Sequence, residues 1–511
     1  MKKALSVILA IALMASTLVA CGGGEKKPDA AAPDGAKPAK DVLTVAVSAE
    51  PASLDPLGKN DSSSSNLKQQ IFDTLLIADG DKIVSGVIES YEFKDPTTFD
   101  MKLRQGVKFH NGDPLTAEDI LYSLERSAVS EFTASKLEMV DMTKTKILDD
   151  STIEIILKSP YPMLPTELSL IYAMPKKLME EQGEKFNENP IGTGPFAFST
   201  WVRGDRIELT ANKDYWGTVP AFNKLIWRAI TESSSRTIEV ESGGVDIAFN
   251  IVPSDVKRLE ENPDVVLNRA PNYSTAYIAF NNNKEAYKDI KVRQALSYAI
   301  DKKAIVDAVY SGVGTVGTGP LASTVWGYEP DVKQYEYNPE KAKELLKEAG
   351  IPEGFEVKIT TSDSQVRADT AEIMQNQLNA VGIKSTVEVL ENSTYLDKVV
   401  EGSLDIFILG WTTTSGDADY GLQPFLSTSP SWTNTTFYND PKVDDLLIKA
   451  KTEQDATKRK ELYSEAQKII AEDAPIIFLQ QGEEVYATRN NVKGAKVTAA
   501  NRFFLNEITF E

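Results

Sequence analysis

Cysteine and histidine are almost missing from this 511-residue chain: each occurs once, as Cys21 and His110. One cysteine forbids an intramolecular disulfide and any thiolate cluster for zinc or iron–sulfur. One histidine removes the commonest metal ligand and the commonest general base near neutral pH. Most metalloenzyme and nucleophile–histidine schemes therefore lack their parts, which argues against an enzyme, an exported hydrolase included. An excess of positive charge is lacking as well. Lys and Arg number 55 against 75 Asp and Glu, a net charge of −20, whereas a phosphate backbone is bound by neutralising it with Lys and Arg. No nucleic acid is expected as a partner. Past the first twenty residues there is no apolar run near the roughly 20 residues that span a bilayer.

What is present is an ordinary soluble composition, 41% hydrophobic and 25% charged, long enough for about three units at roughly 100–200 residues each. Lys2 and Lys3 precede an apolar stretch, Ala4 to Val19. It is too short and wrongly flanked for a stable spanning helix and fits a secretory signal peptide over 1–20. The stretch ends Leu18-Val19-Ala20-Cys21, which resembles the bacterial lipobox. That resemblance implies cleavage before Cys21 and acylation of the cysteine. Residues 21–40, rich in Gly, Lys, Pro, Ala and Asp, have little to bury and are expected to be a flexible, lipid-anchored tether.

The body mixes short β-branched runs with capped helical patterns. Strands are expected at 43–47, 152–157, 246–251, 357–361, 386–390 and 405–409. Helix starts are written as N-cap residues, several before Pro at the first turn: Thr116, Asn338-Pro339, Asp440-Pro441 and Asp455. Interleaved strands and helices indicate an α/β fold.

Three stretches that suggest chemistry have plainer explanations. Gly312-Val-Gly314-Thr-Val-Gly317 fits a dinucleotide fingerprint on letters alone. A helical pattern precedes it and a Gly-Pro loop follows, the reverse of the required context. The serine run Ser62 to Ser65 lacks a partner base. His110 sits in a Phe-His-Asn-Gly turn without catalytic partners.

Five other stretches carry more. They are Glu50-Pro-Ala-Ser-Leu-Asp-Pro56; the run from Phe99 through Gly106, His110 and Gly112 to Asp119; Gly192-Thr-Gly-Pro-Phe196 followed by Asn212-Lys-Asp-Tyr-Trp-Gly217; Phe280-Asn281 followed by Val292-Arg-Gln-Ala-Leu-Ser-Tyr-Ala-Ile-Asp301; and Asp405-Ile-Phe-Ile-Leu-Gly-Trp411. Together and in this order they resemble the extracellular solute-binding proteins of peptide-type ABC importers, from about residue 42 to 511. The resemblance implies a two-lobed periplasmic-binding-protein-like fold, type II and of the large peptide-binding class, with a hinge and an interlobe ligand cleft. Lobe I would comprise 41–268, with an insertion about 78–188, and the returning segment 483–511. Lobe II would be 269–482. His110 then falls in a signature that looks structural.

In that family the loop after the tryptophan carries an aspartate that takes a peptide's ammonium. Here its place is held by Thr414, while Asp417 matches a second acid of the loop. The resemblance makes Trp411, Thr412, Thr414 and Asp417 candidate ligand contacts. Tyr277 is a candidate on the opposite side and Arg367 a candidate carboxylate clamp, since Arg's planar fork suits carboxylates. The expected role is capture of short peptides and delivery to ABC permease subunits served by a cytoplasmic ATPase. No cofactor or metal is expected, and a monomer is the expected state. Alternatives in the same transport role are glutathione, another modified peptide or an oligosaccharide; Trp411, Tyr420, Trp432 and the threonines leave sugar open. A ligand-sensing surface receptor is the alternative from another class.

Overall fold

An eleven-stranded mixed sheet runs through the chain, and its two longest strands organise the rest. In the computed structural model, which describes residues 40–58, 61–80 and 82–511, Val265–Phe280 spans 16 residues and Ile476–Arg489 spans 14. They pair antiparallel with a break between: 265–271 face 489–483, the register slips between Pro271 and Thr275, and 275–279 face 481–476. Pro271 has no N–H to give the ladder, and such an irregularity bends a strand and raises its twist. Two wings extend from these strands. One carries Ile247–Ala248, Val42–Val47, Lys224–Ala229, Arg206–Ala211 and Phe196–Val202; the other carries Ile406–Thr412, Glu356–Ser362 and Lys384–Leu390. The signal peptide expected at 1–20, Cys21 and the tether to residue 39 lie outside the described residues.

Each wing contains a parallel ladder, Val42–Val47 beside Lys224–Ala229 and Glu356–Ser362 beside Lys384–Leu390, and parallel strands need cover on both faces. In the first wing that cover includes Phe72, Phe249 and Phe503 packed with Leu43, Val45 and Trp227. The rings of Phe249 and Phe503 stack with centroids 3.7 Å apart, and Phe503 shares its core with Leu43 and Val45, so the C-terminal segment packs back onto Val42–Val47. The second wing is covered on one side by Leu296, Met374 and Leu378 around Ile359 and Ile406. The other side is covered by Tyr395, Tyr463 and Ile470 around Tyr277 and Phe407. A further core, from Leu75 to Ala173, forms under a separate four-stranded antiparallel sheet and the helix Ala117–Val129.

Local signals work as their chemistry requires. Thr116 and Asp119 close a reciprocal capping box, and Asn338, Asp440 and Asp455 cap the helices Pro339–Glu348, Pro441–Thr452 and Ala456–Asp473. The strand expected over 246–251 is only Ile247–Ala248. Asp246 spends its carboxylate on the Thr44 N–H at 2.8 Å, and Asn250 has φ 56°, a left-handed conformation that ends a strand. The glycine-rich loop is structural. Its Thr315–Val316 pairs with Gln481 and Gln480, and a Cβ on Gly314 would lie 2.3 Å from the Gln481 carbonyl oxygen.

Candidate functional site

The sequence signatures are mostly knots that tie the scaffold. His110 accepts the Gly192 N–H at Nδ1 (3.2 Å) and bonds the Gly194 carbonyl through Nε2 (3.0 Å). An accepting Nδ1 requires the neutral ring protonated at Nε2, and burial holds its pKa below the usual histidine value. A Cβ on Gly192 would meet the Ile71 carbonyl oxygen at 2.1 Å, so that turn needs its glycine. Asp73 accepts from Tyr215 Oη (2.9 Å) and Trp216 Nε1 (2.8 Å), and burial pushes its carboxyl up to about 6. Asn281 donates to the Gly402 and Leu404 carbonyls. Arg293 donates to the carbonyls of Asp473, Tyr287 and Lys288. These groups are turned to the scaffold, and none of them lines the cavity where Thr412 and Thr414 stand.

A cavity of about 590 Å³ opens where several parts of the chain meet. Its walls come from the helix Ser62–Ile71 (Ser62, Ser65, Asn66), from the segment under the separate sheet (Phe132, Lys136, Glu138, Tyr161, Glu167, Tyr172), from the register break (Asn272, Ser274), from the second wing (Thr412, Thr414, Asp419, Tyr420, Trp432, Lys451) and from the C-terminal return (Asn501, Arg502). That volume lies within the range of ordinary small-ligand sites. The run Ser62 to Ser65, unpromising as a nucleophile, helps to line it, with Ser64 turned away to bond Asp61 and the Ala52 N–H.

Of the residues singled out from sequence, Thr412 and Thr414 line the cavity. Trp411 stands one layer behind, its ring stacked on that of Tyr420 at 5.2 Å, with its indole N–H buried and without a hydrogen-bond partner. Asp417 is not in the lining. It caps the short helix Ala418–Gly421 and gives both oxygens to Arg459, at 2.6 and 2.9 Å, with both side chains buried. Tyr277 is 4% exposed in the core of the second wing, where burial pushes its phenol up to about 12. Arg367 lies over the Tyr395 ring and donates to Ser362 Oγ at 3.1 Å. Neither Tyr277 nor Arg367 lines the cavity.

The charges that do line it were not singled out from sequence: Lys136, Glu138, Glu167, Asp419, Lys451 and Arg502. Burial first, then the nearby Asp419 carboxylate against the pull of Lys136, pushes Glu167 up to about 7. Burial also raises Asp419, against the attraction of Lys451. Lys136 is pushed down by burial and by Arg502, with Glu167 opposing. The cavity thus mixes acids and bases, with Lys136 the main charged neighbour of Glu167 and Lys451 that of Asp419. The one signal available in the sequence was Glu167 standing alone in the apolar run 160–175.

A profile of bacterial extracellular solute-binding proteins, family 5 (middle part), matches residues 82–433. The chain belongs to this family. The solute-binding protein is 32% identical over 472 residues to a glutathione-binding protein, GsiB, of Pectobacterium atrosepticum, covering 89% of this chain and 91% of that one. Among solved structures it is similar to HbpA2 from Haemophilus parasuis, with a TM-score of 0.83 and 30% identity over 92% of this chain and 100% of that one. It is likewise similar to the periplasmic binding protein DppA from Helicobacter pylori in complex with the peptide STSA, with a TM-score of 0.77 and 29% identity over 92% and 98%. The architecture is the two-lobed α/β arrangement of these binding proteins. Among the described residues, no helix of this solute-binding protein is long and apolar enough to cross a membrane.

Proposed function

We propose that this solute-binding protein captures short peptides in the cavity beside the register break and delivers them to the permease of an ABC importer. The observation that carries this is the mixed charge of the lining, the acids Glu138, Glu167 and Asp419 with the bases Lys136, Lys451 and Arg502, which suits a ligand with an ammonium and a carboxylate. Buried ligand charges need counter-charges, because an unpaired ion in a closed site costs several kcal/mol. Closure is the functional event, and ligand drives it by binding the closed state better. Lobe I is 41–268 with 483–511, lobe II is 269–482, and the slip between Pro271 and Thr275 is the hinge. Permease subunits recognise the closed monomer and a cytoplasmic ATPase drives release. Cys21 carries the lipid that keeps the body near the membrane. No covalent step is involved, in keeping with the lack of a second histidine or cysteine.

A second reading, glutathione or another modified peptide, is favoured by Thr414 in place of the family's aspartate and by the glutathione-binding relative. Thermal stabilisation separates the two. A ligand at about a hundred times its dissociation constant stabilises by roughly 2.7 kcal/mol. Stabilisation by di- to tetrapeptides supports the first reading, and stabilisation by glutathione alone supports the second. Stabilisation by oligosaccharides but by neither of these sinks both.

A further inference from the structure

We propose that the ligand's ammonium is held between Glu167 and Asp419, so that one positive charge ties together the two walls of the cavity. This rests on the peptide-binding reading and names the group that reading leaves open.

Two positions of the loop are excluded as partners for an ammonium. At position 414 stands a threonine, and Asp417 is consumed by Arg459. Arg459 itself lies between the rings of Trp326 (4.6 Å) and Tyr463 (5.1 Å). A ligand ammonium would have to displace a stacked, bidentate guanidinium to reach Asp417. Asp419, two residues on, lines the cavity; it accepts one long bond, 3.3 Å, from Tyr463 Oη. Glu167 lines the same cavity and accepts one 3.3 Å bond from Tyr161 Oη. A carboxylate has about four acceptor positions, so a single long bond from a phenol leaves each acid room for an ammonium's donors.

The two acids come from different bodies of the fold. Glu167 is on the helix Leu164–Leu168, packed in the core that runs from Leu75 to Ala173. Asp419 is on Ala418–Gly421, whose Ala418 is buried in the core of the second wing. Both acids line the cavity and the Asp419 charge is felt at Glu167 as repulsion, whereas a common cation attracts both, so occupancy changes the sign of the force between the walls. The groups around them are Lys136, Glu138 and Arg502 on one side and Lys451, Asp417 and Arg459 on the other, with Tyr161, Tyr420 and Tyr463. Lys136 acts on Glu167 and Lys451 on Asp419, but Lys451 is shared with Glu138 at 3.4 Å and Arg459 is taken by Asp417, so an ammonium competes with one shared lysine and with Lys136. Arg502, which lines the same cavity and acts on Lys136, is where the carboxylate of a short peptide lies. With Glu167 raised to about 7 in the empty cavity, an arriving ammonium displaces a proton.

The test exposes the purified protein to a mixed library of tripeptides, half of them acetylated at the amino terminus, and identifies retained peptides by native mass spectrometry. Free-amine peptides should be enriched at least tenfold over acetylated ones, about 1.4 kcal/mol, and Glu167→Gln with Asp419→Asn should bring the ratio near one. Calorimetry of the most enriched peptide at pH 7, in two buffers of different ionisation enthalpy, should show release of about half a proton, lost in Glu167→Gln. Equal retention of acetylated and free peptides by the wild-type protein overturns the proposal without recourse to any variant. So does an undiminished free-amine preference in a double variant that melts normally. A wild-type protein that retains no peptide at all refutes the peptide reading itself, and this inference with it.

Discussion

The buried pair Asp417–Arg459 offers a direct check on the view that the loop's acid is structural. Asp417 is 6% and Arg459 5% exposed, and their two bonds of 2.6 and 2.9 Å hold the turn that presents Thr414, Asp419 and Tyr420 to the cavity. Burial opposes the charge on Arg459, but the Asp417 carboxylate outweighs it and keeps the guanidinium protonated. Arg459→Met leaves a carboxylate without its partner, which costs about 3–5 kcal/mol. The carboxyl can escape that cost by taking up a proton, which at pH 7 requires about 4 kcal/mol starting from an ordinary aspartate. The loss should therefore be about 3–4 kcal/mol at pH 7 and should shrink toward pH 4, because in the variant the folded-state pKa of Asp417 is raised and stability returns as pH falls. Removing both charges with Asp417→Leu and Arg459→Met should cost less than the sum of the single changes by roughly 2–3 kcal/mol, with about 1 kcal/mol remaining for the lost helix cap. Urea unfolding followed by circular dichroism at pH 7 and pH 4.5 measures all of these. A single-variant loss below about 1 kcal/mol, or one independent of pH, refutes the reasoning. Asp417→Asn should weaken free and acetylated peptides by the same factor; selective loss for free peptides would return the ammonium to Asp417.

Three further outcomes are expected. Glu484 is buried against Asn250 and its carboxyl is pushed up to about 7. Its contribution to stability is present below the unfolded pKa near 4.5 and is lost as pH rises through 7. Glu484→Gln should therefore gain on the wild type by up to about 3 kcal/mol between pH 4.5 and 7.5, as read from unfolding curves; a constant difference would contradict this. His110 is the chain's one histidine, so its imidazole resonance is unambiguous by nuclear magnetic resonance. It should titrate below 6.5, and stability should fall as pH drops through that value, since protonation breaks the bond from the Gly192 N–H. Substitution by Ala should cost about 1–3 kcal/mol and leave peptide affinity unchanged. Trp432 lines the cavity with 62% of its surface exposed. Closure over a ligand should cover it and shift its fluorescence to the blue, a shift that Trp432→Phe removes.

The sequence displays its signatures where the chain needs particular atoms to fold. Gly192, His110, Asp73, Trp216, Asn281 and Arg293 each satisfy buried backbone or side-chain groups that tolerate few replacements, and such residues stand in recognisable runs. The α/β class and the capped helices were legible for the same reason. Capping is local chemistry, complete within four residues of Thr116 or Asn338. The length of the two central strands was not legible, since the slip at Pro271 depends on a partner more than 200 residues away. The cavity charges were less legible still. Lys136, Glu167, Asp419 and Arg502 come from parts of the chain that share no motif, and no local rule asks for a charge at any of them. Ligand preference can change at such positions without disturbing the knots, whereas the loop acid that was legible, Asp417, has been taken into the scaffold by Arg459. Under the proposed function Thr414, which lines the cavity, is another such position. On the same reading, specificity is to be sought on the cavity walls, among the charges that no motif marks.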